Sequence, residues 1–162
     1  MASITFKKGE VYALRLSTLA GVALTKLCGH AISDAAEIVA DAIRQELENV
    51  PTDESWGTQG TPTIGPKKAQ KEALLHVLGV TRMSTDDKGF INVKIGFDGY
   101  NDIQSKRWPN GQPNQMVARA IESGTTWMHK NRFVARAVAK TKKQALEVMK
   151  KRAESEIKQI MK

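Results

Sequence analysis

Apolar residues recur at steps of three and four along two long stretches, one toward each end of the chain. In the first, "AISDAAEIVADAIRQEL", Ile32, Ala36, Val39, Ile43 and Leu47 make one stripe. Asp34, Glu37, Asp41, Arg44 and Glu48 lie on or beside the opposite face. This predicts a helix over roughly Val22–Glu48. Gly29 weakens its first turns, and Ser33 offers an alternative N-cap and a later start. In the second stretch Val134, Val138, Thr141, Ala145, Met149, Ala153, Ile157 and Ile160 line one side. A helix from about Phe133 nearly to the end follows, about 28 residues and roughly 42 Å long. Ahead of the first helix, "KKGEVYALRLSTLAGVALTKL" opens as a short helix, with a junction near Ala20–Gly21.

Between the long helices the pattern changes. Pro51 ends the first helix, and "PTDESWGTQGTPTIGP" carries Gly and Pro throughout. It predicts a loop or extended arm at about 50–66, and a structureless segment of that length is usually functional. Trp56 can insert into a partner or fold back on the chain's own core. "PKKAQKEALLHVLGV" reads as a helix with Pro66 in its first turn, and Gly79 closes it or begins a strand. Ile91, Val93, Ile95 and Phe97 then alternate with Asn92, Lys94 and Gly96, the period of a half-buried strand. An earlier strand at about Val80–Ser84 joins it through "TDDKG", which has hairpin-turn chemistry. After the loop "DGYNDIQSKRWPNGQP" a short helix spans about Asn114–Ser123. The sum is one α+β domain over residues 1–162, with long N- and C-terminal helices packed with shorter ones around a small antiparallel sheet. The last helix must pack on the other long helix, on a neighbouring subunit, or on both.

Composition sharpens this. Aromatic residues make up 6% of the chain, so the core must be aliphatic and alanine-rich. The net charge of +8 is confined to one region: Lys130–Lys162 holds eleven basic and three acidic residues, whereas residues 1–129 hold fourteen of each. Lys140, Lys142, Lys143, Lys150 and Lys151 make the last helix a candidate surface for nucleic acid or an acidic protein, or a solvated face. No apolar run approaches a membrane span, and "MASITFKKGE" lacks the apolar core of a secretory signal. The expectation is a soluble protein made inside the cell, without a membrane partner. Cys28, the single cysteine, reads as a small buried hydrophobe.

Candidate chemistry is thin. His30, His76 and His129 are far apart and lack acidic or cysteine neighbours at ligand spacing, so no metal site is expected. No Gly-rich loop with a Lys-Ser/Thr pair precedes a helix, and no nucleophile elbow is present, so neither a cofactor nor catalysis is expected. Asp86 and Asp87 serve as turn formers. Glu122, opposite Gly124–Thr125 at a helix end, reads as an anchor for the turn. As a general base, together with Asp86–Asp87, it would make the chain a small hydrolase, the weakest alternative. A stand-alone, non-specific nucleic-acid-binding protein using the basic helix is the stronger one.

The ordered set "FDGYN", "PNGQPNQMVARAIESGTTW", "NRFVARAV" and a Lys-rich helix, behind a long helix and a Pro-containing loop, resembles the neck or tail-completion proteins of long-tailed bacteriophages. The resemblance runs from about Ser33 to the end and is strongest over Phe97–Lys150. In that family a short helix ends in Glu-x-Gly-Thr, and an aromatic then opens a Phe-x-x-x-Ala helix. The matching positions here are Glu122, Gly124, Thr125, Phe133 and Ala137. Arg132 stands where many members have Pro. Pro51 and Asp53 are followed by Glu54–Ser55 where many have Thr-Gly. The resemblance implies a virion protein at the head–tail joint, assembled in the host cytoplasm. It would form a homo-oligomeric ring that meets connector and tail proteins, with DNA contact through the basic helix as an option. Gly124 would supply a positive φ, and Trp127 and Phe133 would pin the turn against the β-region and the first long helix. Trp56 and the lysines would lie on the interaction surface.

Overall fold

Val22–Glu48 forms one helix of 27 residues, α1, in a computed structural model that describes residues 21–161. The short helix expected near Lys7 lies outside the described residues. Glycine at position 29 is buried inside α1, beneath the Met83 side chain. Its helix propensity is outweighed by packing, and Ser33 starts nothing. The chain continues through α2 (Lys68–Val77), β1 (Leu78–Val80), β2 (Ser84–Thr85), β3 (Ile91–Asn92), β4 (Ile95–Phe97), α3 (Asn114–Ser123) and α4 (Phe133–Met161). The class is α+β.

α1 and α4 pack against each other more extensively than any other two elements. They run antiparallel: Glu46 near the end of α1 meets Arg136 and Lys140 near the start of α4, while His30 meets Glu156 and Asp34 meets Arg152 at the other end. The seam is made of small residues. On α1 it buries Ala31, Ala35, Ala36 and Ala40, while Ile32 and Val39 of the expected stripe are only half-buried. On α4 it follows every fourth residue, through Phe133, Ala137, Thr141 and Ala145. A row at steps of four is inclined to the helix axis, so the seam drifts round α4. Val138 and Ile157, expected in the stripe, are left exposed.

The expected hairpin is present but broken into two short antiparallel ladders, β1 with β4 and β2 with β3. The registers Val80↔Ile95 and Ser84↔Asn92 leave Thr81–Met83 opposite Val93–Lys94, one residue too many on the first strand. This is bulge geometry. The Lys94 N–H donates to the Thr81 hydroxyl at 2.9 Å, where a regular ladder would use a backbone carbonyl. The bulged segment delivers Met83 to α1 at Gly29. At the hairpin tip Asp86 accepts the N–H groups of Lys88 and Phe90, so it is a turn former.

The core sits where α1, α2, α3 and the first turns of α4 converge on β1 and β4. Leu47, Val50, Leu74, Ile121 and Phe133 are its largest fully buried apolar side chains. The Phe133 ring packs tilted on Phe97, with centroids 6.1 Å apart. Residues 51–66 form no helix or strand, yet they are no free arm. Asp53 N–H donates to Pro66 O at 3.0 Å, closing the segment on itself, and Thr63, Gly65 and Pro66 are buried. Glu54 reaches Lys68 N at 2.8 Å and caps α2 from outside the helix.

Candidate functional site

α3 ends at Gly124, with φ 74° and ψ 165°. That backbone region is open essentially to glycine alone. Reversing the chain here lets the Asn131 N–H donate to Ile121 O at 2.7 Å. The neighbouring Glu122 then faces the first turn of α4. Its carboxylate accepts Val134 N–H at 2.8 Å and Ala135 N–H at 3.2 Å. The first N–H groups of any helix lack internal partners, and position 132, just before α4, is an arginine that cannot cap. The cap is therefore supplied across the joint, by an anion placed where the helix dipole favours it. Two bonded points on opposite sides of the turn fix the relation of α3 to α4.

The Thr125–Met128 turn is closed by Thr125 N–H to Met128 O (2.9 Å) and by the Thr125 hydroxyl accepting Trp127 N–H (3.2 Å). It is stitched to the 51–66 loop. Thr63 N–H donates to Trp127 O at 2.9 Å, and His129 N–H donates to Thr63 O at 2.8 Å. Gly57 lets this happen, because a Cβ there would lie 1.9 Å from Trp127 O. Phe133 and Ala137 are fully buried one turn apart. Trp127 departs from expectation. Its indole is 56% exposed and pins nothing; its backbone carbonyl does the docking, and Met128 packs against the core instead. Trp56 is 75% exposed, with Lys67 Nζ 3.6 Å from its ring centroid, so it does not fold back on the core. The two indoles flank a cleft of about 340 Å³ floored by Thr63, Gln70 and Gln112.

The basic helix divides into clamped and free cations. Glu46, buried in the seam, accepts Lys140 Nζ, and also Arg136 Nε at 2.7 Å. The Lys140 and Arg136 hydrogen bonds hold the Glu46 carboxyl below the usual carboxylate range, against the opposing effect of burial. Lys140, expected on the interaction surface, is thus tied to the fold, though its side chain is partly exposed. Lys142, Lys143, Lys150 and Lys151 are exposed, and Lys150 lies 3.9 Å from Glu154.

A groove of about 840 Å³ runs between the β1–β4 ladder and α3, lined by Val80, Ile95, Phe97, Arg119, Glu122 and Val134 among others. Glu122 is the only residue of the suspected hydrolase set at this groove. Asp86 and Asp87 sit at the hairpin tip and do not line it. Both Glu122 oxygens accept backbone N–H groups, from Val134 and Ala135. Among the described residues no group of three His, Cys, Asp or Glu side chains could hold a metal, and no helix is long and apolar enough to cross a membrane. His30 instead bonds Glu156 at 3.0 Å, His76 and His129 are exposed, and Cys28 is half-buried. Two groups escaped sequence reasoning, Glu46 and Glu54. Each lies close to the expected elements, but its partner is a residue remote or unpatterned in sequence. No family model, no curated protein and no solved structure matches this chain.

Proposed function

We propose that the chain is a non-enzymatic structural protein at the head–tail joint of a long-tailed bacteriophage, of the neck or tail-completion kind. It works by assembling copies into a ring and by binding connector and tail proteins. Its place is the virion, reached after assembly in the host cytoplasm. The observation that supports this best is the joint from Glu122 to Ala137. Glu122 bonds the first turn of α4, Gly124 reverses the chain and Thr125 closes the turn, so the bonds described for this segment serve to hold two helices at a set angle. Next to this rigid joint, Trp56 and Trp127 expose large indoles from two loops that are themselves tied together. Exposed tryptophans on a fixed frame suit burial against another protein. A closed ring needs two different faces that meet head to tail, and the cleft end and the α1–α4 rod are distinct surfaces.

The test is genetic and biochemical. Phage lacking the chain should accumulate filled heads and free tails that do not join. Purified chain added to such an extract should restore infectious particles. Infectious particles that contain none of it by mass spectrometry would sink the proposal.

A further inference from the structure

The positive charge of the C-terminal region is not evenly spread. Between Lys130 and Lys143 there are six cations and no acid, and the next carboxylate is Glu147. Folding divides the six. Arg136 and Lys140 are committed to Glu46. Lys130, Arg132, Lys142 and Lys143 lie at the surface, and among the described residues none has a carboxylate at ion-pair distance. Glu122, which faces the same segment, has both oxygens on backbone N–H groups. The free cations are therefore not neutralised locally. Lys143 and Lys150, neither bonded to α1 among the described residues, are seven residues apart. That is two helical turns, so they share one side of α4, about 10.5 Å from each other.

We propose that the outward side of α4, centred on Lys142 and Lys143 and continued by Lys150 and Lys151, binds the phosphate backbone of duplex DNA without reading its sequence. Charge complementarity argues for a polyanion. Lysine argues for phosphate over protein, because lysine is depleted from protein–protein interfaces and acts on phosphate as a mobile point charge. The absence of a stacking surface argues for a duplex over a single strand. The one aromatic residue in α4 is Phe133, and it is fully buried, so unpaired bases have no platform there. This inference goes beyond the joint reading and does not depend on it.

The experiment is fluorescence anisotropy of a labelled duplex of arbitrary sequence with the full chain, over a range of salt. The expected Kd at physiological salt is about 10⁻⁴–10⁻⁶ M, falling steeply as salt is lowered. Lys142→Glu with Lys143→Glu should weaken binding at low salt by at least about tenfold. It should also flatten the log–log salt slope by about 0.9 for each phosphate that the protein no longer neutralises. Lys88→Glu, at the hairpin tip, should change neither. Circular dichroism of the double variant checks that α4 is intact. Wild-type affinity in a folded double variant, or no binding at any salt, overturns the proposal. So does polyglutamate competing as well as unlabelled duplex at equal charge, which would make this side of α4 a dock for an acidic protein.

Discussion

The carboxylate of Glu122 accepts the backbone N–H of Val134, 2.8 Å away and twelve residues later in the chain. One side chain near the end of a helix thus begins the next one. Glu122→Ala should cost about 1–2 kcal/mol, the range for removing an N-cap, read as a lower midpoint in urea unfolding. Glu122→Gln keeps an acceptor and should recover part of this. Equal destabilisation in both variants would show that the charge, and not the hydrogen bond, carries the cap.

Gly124→Ala forces a Cβ into a glycine-only conformation and to 2.9 Å from Lys130 Cβ. It should destabilise by about 1–3 kcal/mol. Asparagine, which tolerates the ordinary left-handed region, should not rescue, because ψ is 165°. Gly29 makes the contrast. An added Cβ there meets only the flexible end of Met83, and the gain in helix propensity is about 1 kcal/mol. Gly29→Ala should therefore be close to neutral in the same assay.

Glu46 gives the acid limb of stability a defined direction. Its folded pKa is lowered, so the unfolded chain takes up the proton first. The stabilisation is fully present above the unfolded glutamate value of about 4.3 and is lost as pH falls through the lowered folded value. Thermal melts of the wild type should drop more steeply below about pH 4.5 than those of Glu46→Gln. Glu46→Gln should be the less stable of the two at pH 7. Parallel curves across that window would remove Glu46 from the account.

Trp56→Ala and Trp127→Ala remove exposed side chains. Each should shift stability by no more than about 0.5 kcal/mol. If the cleft is a contact surface of the proposed joint, the same changes should reduce restoration of particles in the extract sharply, because tryptophan is a frequent energetic anchor of interfaces. Full restoration by the double variant would place the interface elsewhere.

The two long helices were legible because their apolar positions repeat over many turns. The bounds Val22–Glu48 and Phe133–Met161 follow from Pro51, from the Gly124 turn and from the length of the repeat. The expected stripes put Ala36, Ile43, Leu47, Thr141 and Ala145 on the buried side, as found, but the exact centre of each seam could not be read. On α1 the alanines at 31, 35 and 40 took the buried positions because α4 approaches closely, and no periodicity distinguishes a close neighbour from a distant one. The hairpin was visible in the alternation of Ile91 to Phe97, but its bulge depends on the Thr81 hydroxyl meeting Lys94, a bond between strands. At the joint, Glu122 and Gly124 stood out by type at a helix end and Phe133 at the start of the next helix, whereas Ala137 was marked only by the family resemblance. The inward position fell to Met128 and not to Trp127, because the geometry of a tight turn decides which of two adjacent residues points to the core.

The alanine seam has a mechanical consequence. Alanine contributes little apolar area per residue, so among the described residues the end of the rod around Ala31 and Ala35 is held by buried Leu27 and by the side-chain cluster of His30, Asp34, Arg152 and Glu156. The opposite end is riveted by Phe133, Leu47 and Ile121. Under load the pair should open like tweezers from its lightly fastened tips, while the hinge around Phe133 stays shut.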